Sequence, residues 1–358
     1  MTTLHLTHLA ALAHLAPPAH PERADRIRII ESCLEQERFA GLIREQAPSV
    51  AVEALLRAHD EAYVVATLDG LRRGTLARVD DDTHVATDTL VAALHSAGGA
   101  VRAVDEVMAG AVRNAFSALR PPGHHAGPAR AAGFCFFNNV AVAARHAQAV
   151  HGAGRVAIVD WDAHHGDGTQ AIVWNDPEIL FCSTHQWPCY PGTGAASERG
   201  AHGNIVNVPL PAGADGPVFR DAFRRAILPR LTAFRPDVIL ISAGFDAHWR
   251  DPMADLALTE RDFGWVTEQL LAVADQVCGG RLVSVLEGGY DLIGLSRGVE
   301  AHVTALLEGG SVRSPEWMEG MPAVPVPPCA EAEAPEPVRV PIPASAADAG
   351  VGLHRVPA

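Results

Sequence analysis

Four short runs constrain this chain most. Arg155–Asp160 (RVAIVD), Ile179–Thr184 (ILFCST), Asp237–Ser242 (DVILIS) and Arg281–Glu287 (RLVSVLE) are nearly continuous in aliphatic residues. A strand with one wet face alternates polar and apolar side chains. A strand that does not alternate is covered on both faces, as in a parallel sheet between helix layers. The stretches Val91–Met108, Asn139–Val150, Val218–Phe234 and Asp262–Val277 carry the helical spacing such a cover needs. Thr259 followed by Asp262 reads as a capping box starting the last of them. The expected fold class is α/β, an open and mainly parallel sheet flanked by helices on both faces. The expected domain spans residues 1–310. Residues 311–358 hold ten of the 26 Pro and little that could form an apolar face, so they are expected to be an extended Pro-rich tail.

Composition then excludes whole classes of function. All 28 basic residues are Arg, against 42 Asp and Glu, for a formal charge of −14. Without a single Lys, neither a P-loop NTPase nor a lysine Schiff-base enzyme is available. The acidic balance argues against nucleic acid or an anionic membrane as partner and suits a cationic ligand. Six Cys (Cys33, Cys135, Cys182, Cys189, Cys278, Cys329) form no Cys-x-x-Cys pair. Neither a disulfide framework nor a thiolate zinc site is expected, and a cytoplasmic location is. Met1–His20 lacks the features of a signal peptide, and no apolar run reaches the roughly 20 residues of a membrane span. A homo-oligomer is left open.

The polar, Gly-rich segments follow the strands, where open α/β sheets place their ligands. After RVAIVD the chain reads Asp160-Trp161-Asp162-Ala163-His164-His165-Gly166-Asp167. In extended backbone Asp160, Asp162 and His164 share one face, which makes a metal half-site. Asp246 follows another strand in Ser242-Ala243-Gly244-Phe245-Asp246. Two carboxylates and one imidazole leave coordination positions open, the pattern of a catalytic rather than a closed structural site. Taken alone, an Asp-x-His is more often a helix cap beside a surface histidine. Two further clusters change that weighting. In Arg120-Pro121-Pro122-Gly123-His124-His125, tandem imidazoles can divide proton transfer to water and to a leaving group, with Asp160 and Asp167 as the carboxylates behind them. In Leu286-Glu287-Gly288-Gly289-Tyr290, a phenol at the sheet edge can donate to a developing oxyanion.

With these residues assembled, the sequence resembles the histone deacetylase superfamily, which includes acetylpolyamine amidohydrolases and acetoin-utilisation proteins. The resemblance rests on motifs in one order: His20-Pro21-Glu22-Arg23, RPPGHHA at Arg120–Ala126, GFCFFNNVA at Gly133–Ala141, DWDAHHGDGTQ at Asp160–Gln170, PGTG at Pro191–Gly194, SAGFD at Ser242–Asp246, DPM at Asp251–Met253 and LEGGY at Leu286–Tyr290. It implies an arginase/deacetylase fold and metal-dependent hydrolysis of N-acyl amides, most simply deacetylation of acetyl-lysine in a protein or peptide. Small acylated amines are the alternative substrates, and ester or longer-acyl hydrolysis the alternative reactions. A non-catalytic acyl-lysine binding protein is the remote one, because neither a ligand nor the Tyr is lost.

Carried over by position, the resemblance implies Asp162, His164 and Asp246 as metal ligands, with zinc the default and Fe(II) or Co(II) accepted by the same donors. It implies His124 and His125 as the acid/base pair backed by Asp160 and Asp167, and Tyr290 as carbonyl polariser. Gly133, Phe134 and Tyr190 would line the acyl-lysine tunnel, and Arg23 an internal acetate channel. Asp160, Asp162, His164, Ser183 and Thr184 would border a structural potassium site. Met253 stands where a polyamine-selective relative has Glu, and Asp167 where many class II-like relatives have Asn.

Overall fold

The computed structural model describes residues 2–73, 79 and 82–309. The tail expected at 311–358 lies outside the described residues. The four apolar runs form strands β4 (Val156–Asp160), β5 (Ile179–Gln186), β7 (Val238–Ala243) and β8 (Leu282–Leu286). Every residue in them is buried, which is why they carry no alternation. Four more strands complete the sheet: β1 (Thr3–Thr7), β2 (Leu42–Gln46), β3 (Asn114–Ser117) and β6 (Ile205–Leu210). All eight run parallel in the order β2-β1-β3-β8-β7-β4-β5-β6.

Strand β6 lies at the edge and contains Pro209. A residue with no N–H is tolerated there because that flank has no neighbour to receive it.

The amphipathic stretches are helices at Thr89–Met108, Asn139–His151 and Glu260–Cys278. The capping box is present: the Asp262 carboxylate accepts the Thr259 N–H at 2.9 Å. The stretch expected as one helix over Val218–Phe234 is interrupted. Helical turns at Gly216–Ala222 and Leu228–Phe234 flank a widened turn at Phe223–Ile227. Pro229 explains the interruption, since it cannot supply the N–H that an unbroken helix would need there. Helices Thr89–Met108 and Asn139–His151 pack together, as do Glu260–Cys278 and Leu292–Glu308, and both pairs also contact the sheet. A second apolar cluster around Leu55, Val64, Phe136 and Phe137 anchors the loop that precedes Asn139.

The register sets the level of the site. Asp160 of β4 stands opposite Ser183 of β5 and Ser242 of β7, and Ser242 opposite Val285 of β8. Strands β4, β7 and β8 therefore end at one level beside Ser183 of β5, and the segments after them converge on one edge of the sheet.

Candidate active site

Ligand atoms of Asp162, His164 and Asp246 lie within 4.8 Å of one another, and all three residues are buried. His164 Nδ1 is 3.1 Å from Asp162 Oδ1 and 2.9 Å from Asp246 Oδ2. Backbone amides fix the acids: Gly288 N–H donates to Asp162 Oδ2 at 2.8 Å and Ala163 N–H to Asp246 Oδ1 at 2.8 Å. Gly244 leaves the room required, because a Cβ there would overlap the Asp162 carboxylate.

Crowding two buried carboxylates splits their acidities. Burial and the neighbouring Asp162 push Asp246 up to about 7. Burial works against Asp162 as well, but His124 and His164 hold it well below the usual carboxylate range. A dry O,N,O donor set with surplus negative charge fits a divalent cation.

Beside it stand the tandem imidazoles, with ring centroids 4.0 Å apart. His124 Nδ1 meets Asp160 Oδ2 at 3.0 Å, and His125 Nδ1 meets Asp167 Oδ1 at 2.8 Å. Each carboxylate fixes one ring and leaves Nε2 for proton exchange. His124 Nε2 is 3.9 Å from Asp162 Oδ2. Their environments push them apart. Burial opposes a charge on His124, yet Asp162 and Asp160 raise it to about 10, whereas burial and the charge of His124 lower His125 to about 4. Arg130, whose side chain reaches solvent, also pairs with Asp167 and draws on the charge that backs His125.

The expected tunnel residues gather around these groups. Tyr290 is buried, with its ring 5.9 Å from that of Phe134. Tyr190 is exposed, with its ring 5.0 Å from His125 and 6.3 Å from His164. Gly133 has φ +52°, and a Cβ there would run into the His125 ring. Phe134 itself has φ +70°, a conformation that turns the chain sharply beside the imidazoles. Met253 is exposed, and its N–H is held by Asp251 Oδ1 at 3.0 Å. The other Asp251 oxygen accepts from Tyr290 N–H at 2.7 Å, so Asp251 ties the Met253 loop to the phenol. Ser183 and Thr184 follow Asp160 in register on β5, and Thr184 Oγ1 is buried without a hydrogen-bond partner.

One assignment is corrected. Arg23, expected to line an internal channel, has a side chain 44% exposed that lies 3.5 Å from Asp25. The interior arginine is Arg26, on helix Asp25–Leu34 and fully buried. Its guanidinium lies 5.0 Å from the Tyr290 ring centre, donates to Gly289 O at 2.7 Å, and also bonds Glu287 O and Glu22. The motif around His20 was the right place, but Arg23 precedes the helix and turns to solvent, whereas Arg26 lies in the first turn of the helix and points inward.

Sequence reasoning missed three further buried charges. Glu22 pairs with Arg120 at 2.5 Å as well as with Arg26, and although burial raises it, Arg120 brings it down to about 2. Glu287 directly follows β8 and accepts the backbone N–H groups of Gly123 and His124. A charged residue ending a strand of otherwise buried residues was the signal available for it.

The histone deacetylase domain sequence model matches residues 20–306. A probable deacetylase of Archaeoglobus fulgidus is 40% identical over 328 residues, covering 88% of this chain and 90% of the relative. A histone deacetylase-like amidohydrolase of Pseudomonas aeruginosa is 39% identical over 296 residues, covering 80% and 77%. Among solved structures, the crystal structure of the HDA15 HD domain superposes with a TM-score of 0.80 at 35% identity, over 88% of this chain and 91% of that one.

Proposed function

The chain belongs to the histone deacetylase domain family, and from that premise we propose that it hydrolyses N-acyl amides, with acetyl-lysine side chains of a protein or peptide as the substrate class. One observation carries the reading: a buried Asp162–His164–Asp246 cluster lies beside two imidazoles, each backed by its own buried carboxylate. Asp162, His164 and Asp246 would hold zinc, or Fe(II) or Co(II) on the same donors. That cation would supply Lewis acidity, polarising an acyl carbonyl and acidifying water.

The chain's own residues do the rest. His125, kept neutral by burial, accepts the proton of the attacking water at Nε2 and passes it to the departing amine. His124, whose Nδ1 meets Asp160 at 3.0 Å, stands beside it as the second imidazole of the pair and would orient the reacting groups. Proton transfer by such groups contributes about 10²–10⁴-fold. The Tyr290 hydroxyl donates to the carbonyl oxygen as it becomes an oxyanion, a contribution of about 2.7–4 kcal/mol for one well-placed donor. Burial raises the pKa of that phenol, and the charges of Asp246 and Asp162 raise it further, so it stays protonated and able to donate.

Phe134 and Tyr190 would flank the aliphatic stem of the acylated side chain, and Arg26 rather than Arg23 would face the departing acid. A structural potassium ion bordered by Asp160, Asp162, His164, Ser183 and Thr184 is part of this proposal. It is supported by the register that sets Asp160, the last residue of β4, opposite Ser183 of β5. Activity in the cytoplasm is likewise proposed, supported by five described cysteines that are all free.

The test is turnover by purified, zinc-loaded protein of an acetyl-lysine peptide, acetylspermidine, a propionyl peptide and an aryl ester side by side. Release of acetate from the peptide at the highest kcat/KM is the expected result. Absence of amide cleavage on every substrate sinks the reading.

A further inference from the structure

Away from the sheet edge, two packed helices bring a second set of ligand atoms together. Asp105 lies in the last turn of Thr89–Met108, and His146 and His151 lie on Asn139–His151. Nε2 of both rings sits 2.7 Å from the same oxygen, Asp105 Oδ1. The three ligand atoms lie within 4.8 Å of one another. Side-chain exposures of 34%, 11% and 20% for Asp105, His146 and His151 mean that water reaches the cluster while the helices hold its geometry. We propose that Asp105, His146 and His151 form a second, weaker divalent-metal site of the two-imidazole, one-carboxylate kind, suited to zinc-class ions with water completing the shell.

Arg57 sets the affinity. Its guanidinium donates to His146 Nδ1 at 2.9 Å. A guanidinium has no acceptor, so the His146 proton must sit on Nε2, where it is donated to Asp105. A ligating Nε2 has to be free of that proton, and a neutral ring then carries it on Nδ1, facing Arg57. Metal binding therefore requires Arg57 to withdraw, and Arg57 competes with the cation by fixing the tautomer. The other nearby cation, Arg102, is engaged by Glu45 at 2.7 Å and Glu106 at 2.8 Å, which leaves Asp105 to the imidazoles.

The experiment is zinc titration of the purified full chain against a chromophoric chelator, with metal analysis after dialysis. Wild type should take up two zinc ions of unequal affinity. D105N and H151A should each lose the weaker one and keep amide hydrolysis, whereas D246A should lose the tighter one and keep the weaker. In R57Q the new amide oxygen can accept from His146 Nδ1–H, so the weaker site should tighten by about tenfold, within the range of outer-shell partners. A destabilised variant cannot imitate that gain. Weaker-site uptake unchanged in both D105N and H151A overturns the proposal, as does an R57Q protein that binds zinc no more tightly than wild type.

Discussion

The Glu287 carboxylate grips the backbone of His124: one of its oxygens accepts Gly123 N–H at 2.7 Å and His124 N–H at 3.2 Å, and the other accepts Ser242 O–H at 2.9 Å. One buried acid at the end of β8 thus sets where the tandem imidazoles sit, although it belongs to a different segment from either of them.

Removing that acid should cost both stability and rate. In E287A three buried donors lose their acceptor, at about 1–3 kcal/mol for each one left unmet, and kcat should fall with His124 displaced. Burial pushes Glu287 up to about 7, so E287Q resembles its protonated form and should keep most of the stability. Urea unfolding alongside turnover checks this. Equal losses in the two variants would show that charge, not hydrogen bonding, is what matters.

Ligand and base should separate by metal content. D246A should lose both hydrolysis and the tightly bound zinc, whereas H125A should lose about 10²–10⁴-fold in kcat and retain the metal. Metal analysis of the two purified proteins beside their rates decides it.

Y290F keeps the ring that packs against Phe134 and Arg26 and deletes only the donor. A loss of about 10²–10³ in kcat with little change in KM is expected. Undiminished turnover would remove the phenol from the mechanism.

Met253 borders the loop that Asp251 ties to Tyr290. M253E should favour acetylspermidine over an acetyl-lysine peptide by up to about fivefold in relative kcat/KM, the scale of a solvent-exposed charge pair. A competition assay with both substrates measures that ratio.

Stability should fall on the acid side of neutrality through His302. It is fully buried between Thr267 at 2.7 Å and Ser284 at 2.9 Å, and burial lowers its pKa to about 3. Between about 6.5 and 3 the unfolded chain binds a proton that the folded one refuses. The contribution is therefore complete above the ordinary histidine value and is lost as pH drops through that window, at no more than about 1.4 kcal/mol per pH unit. Denaturant midpoints measured from pH 7.5 to 4.5 should show a shallower slope in H302Q. Identical slopes would assign the acid sensitivity to other groups.

Strands β4, β5, β7 and β8 were legible because burial on both faces writes itself as an unbroken apolar run. The others were not. Strand β3 is four residues long, β2 exposes much of one face to water, and β6 alternates and contains proline. Each is stabilised by the neighbour it pairs with rather than by its own pattern.

What the amino-acid sequence determined by itself is the chemistry: which acids, imidazoles and phenol follow which strands, since spacing along extended backbone is a local property. It could not determine that Arg26 rather than Arg23 lies under Tyr290, that Glu22 and Arg120 form a buried pair, that Glu287 holds a loop more than 160 positions earlier, or that Asp105 meets two histidines of another helix. Those relationships exist only once strand order and helix register are fixed, because Coulomb and hydrogen-bond energies depend on distance in space and burial, and neither is written in the order of residues along the chain.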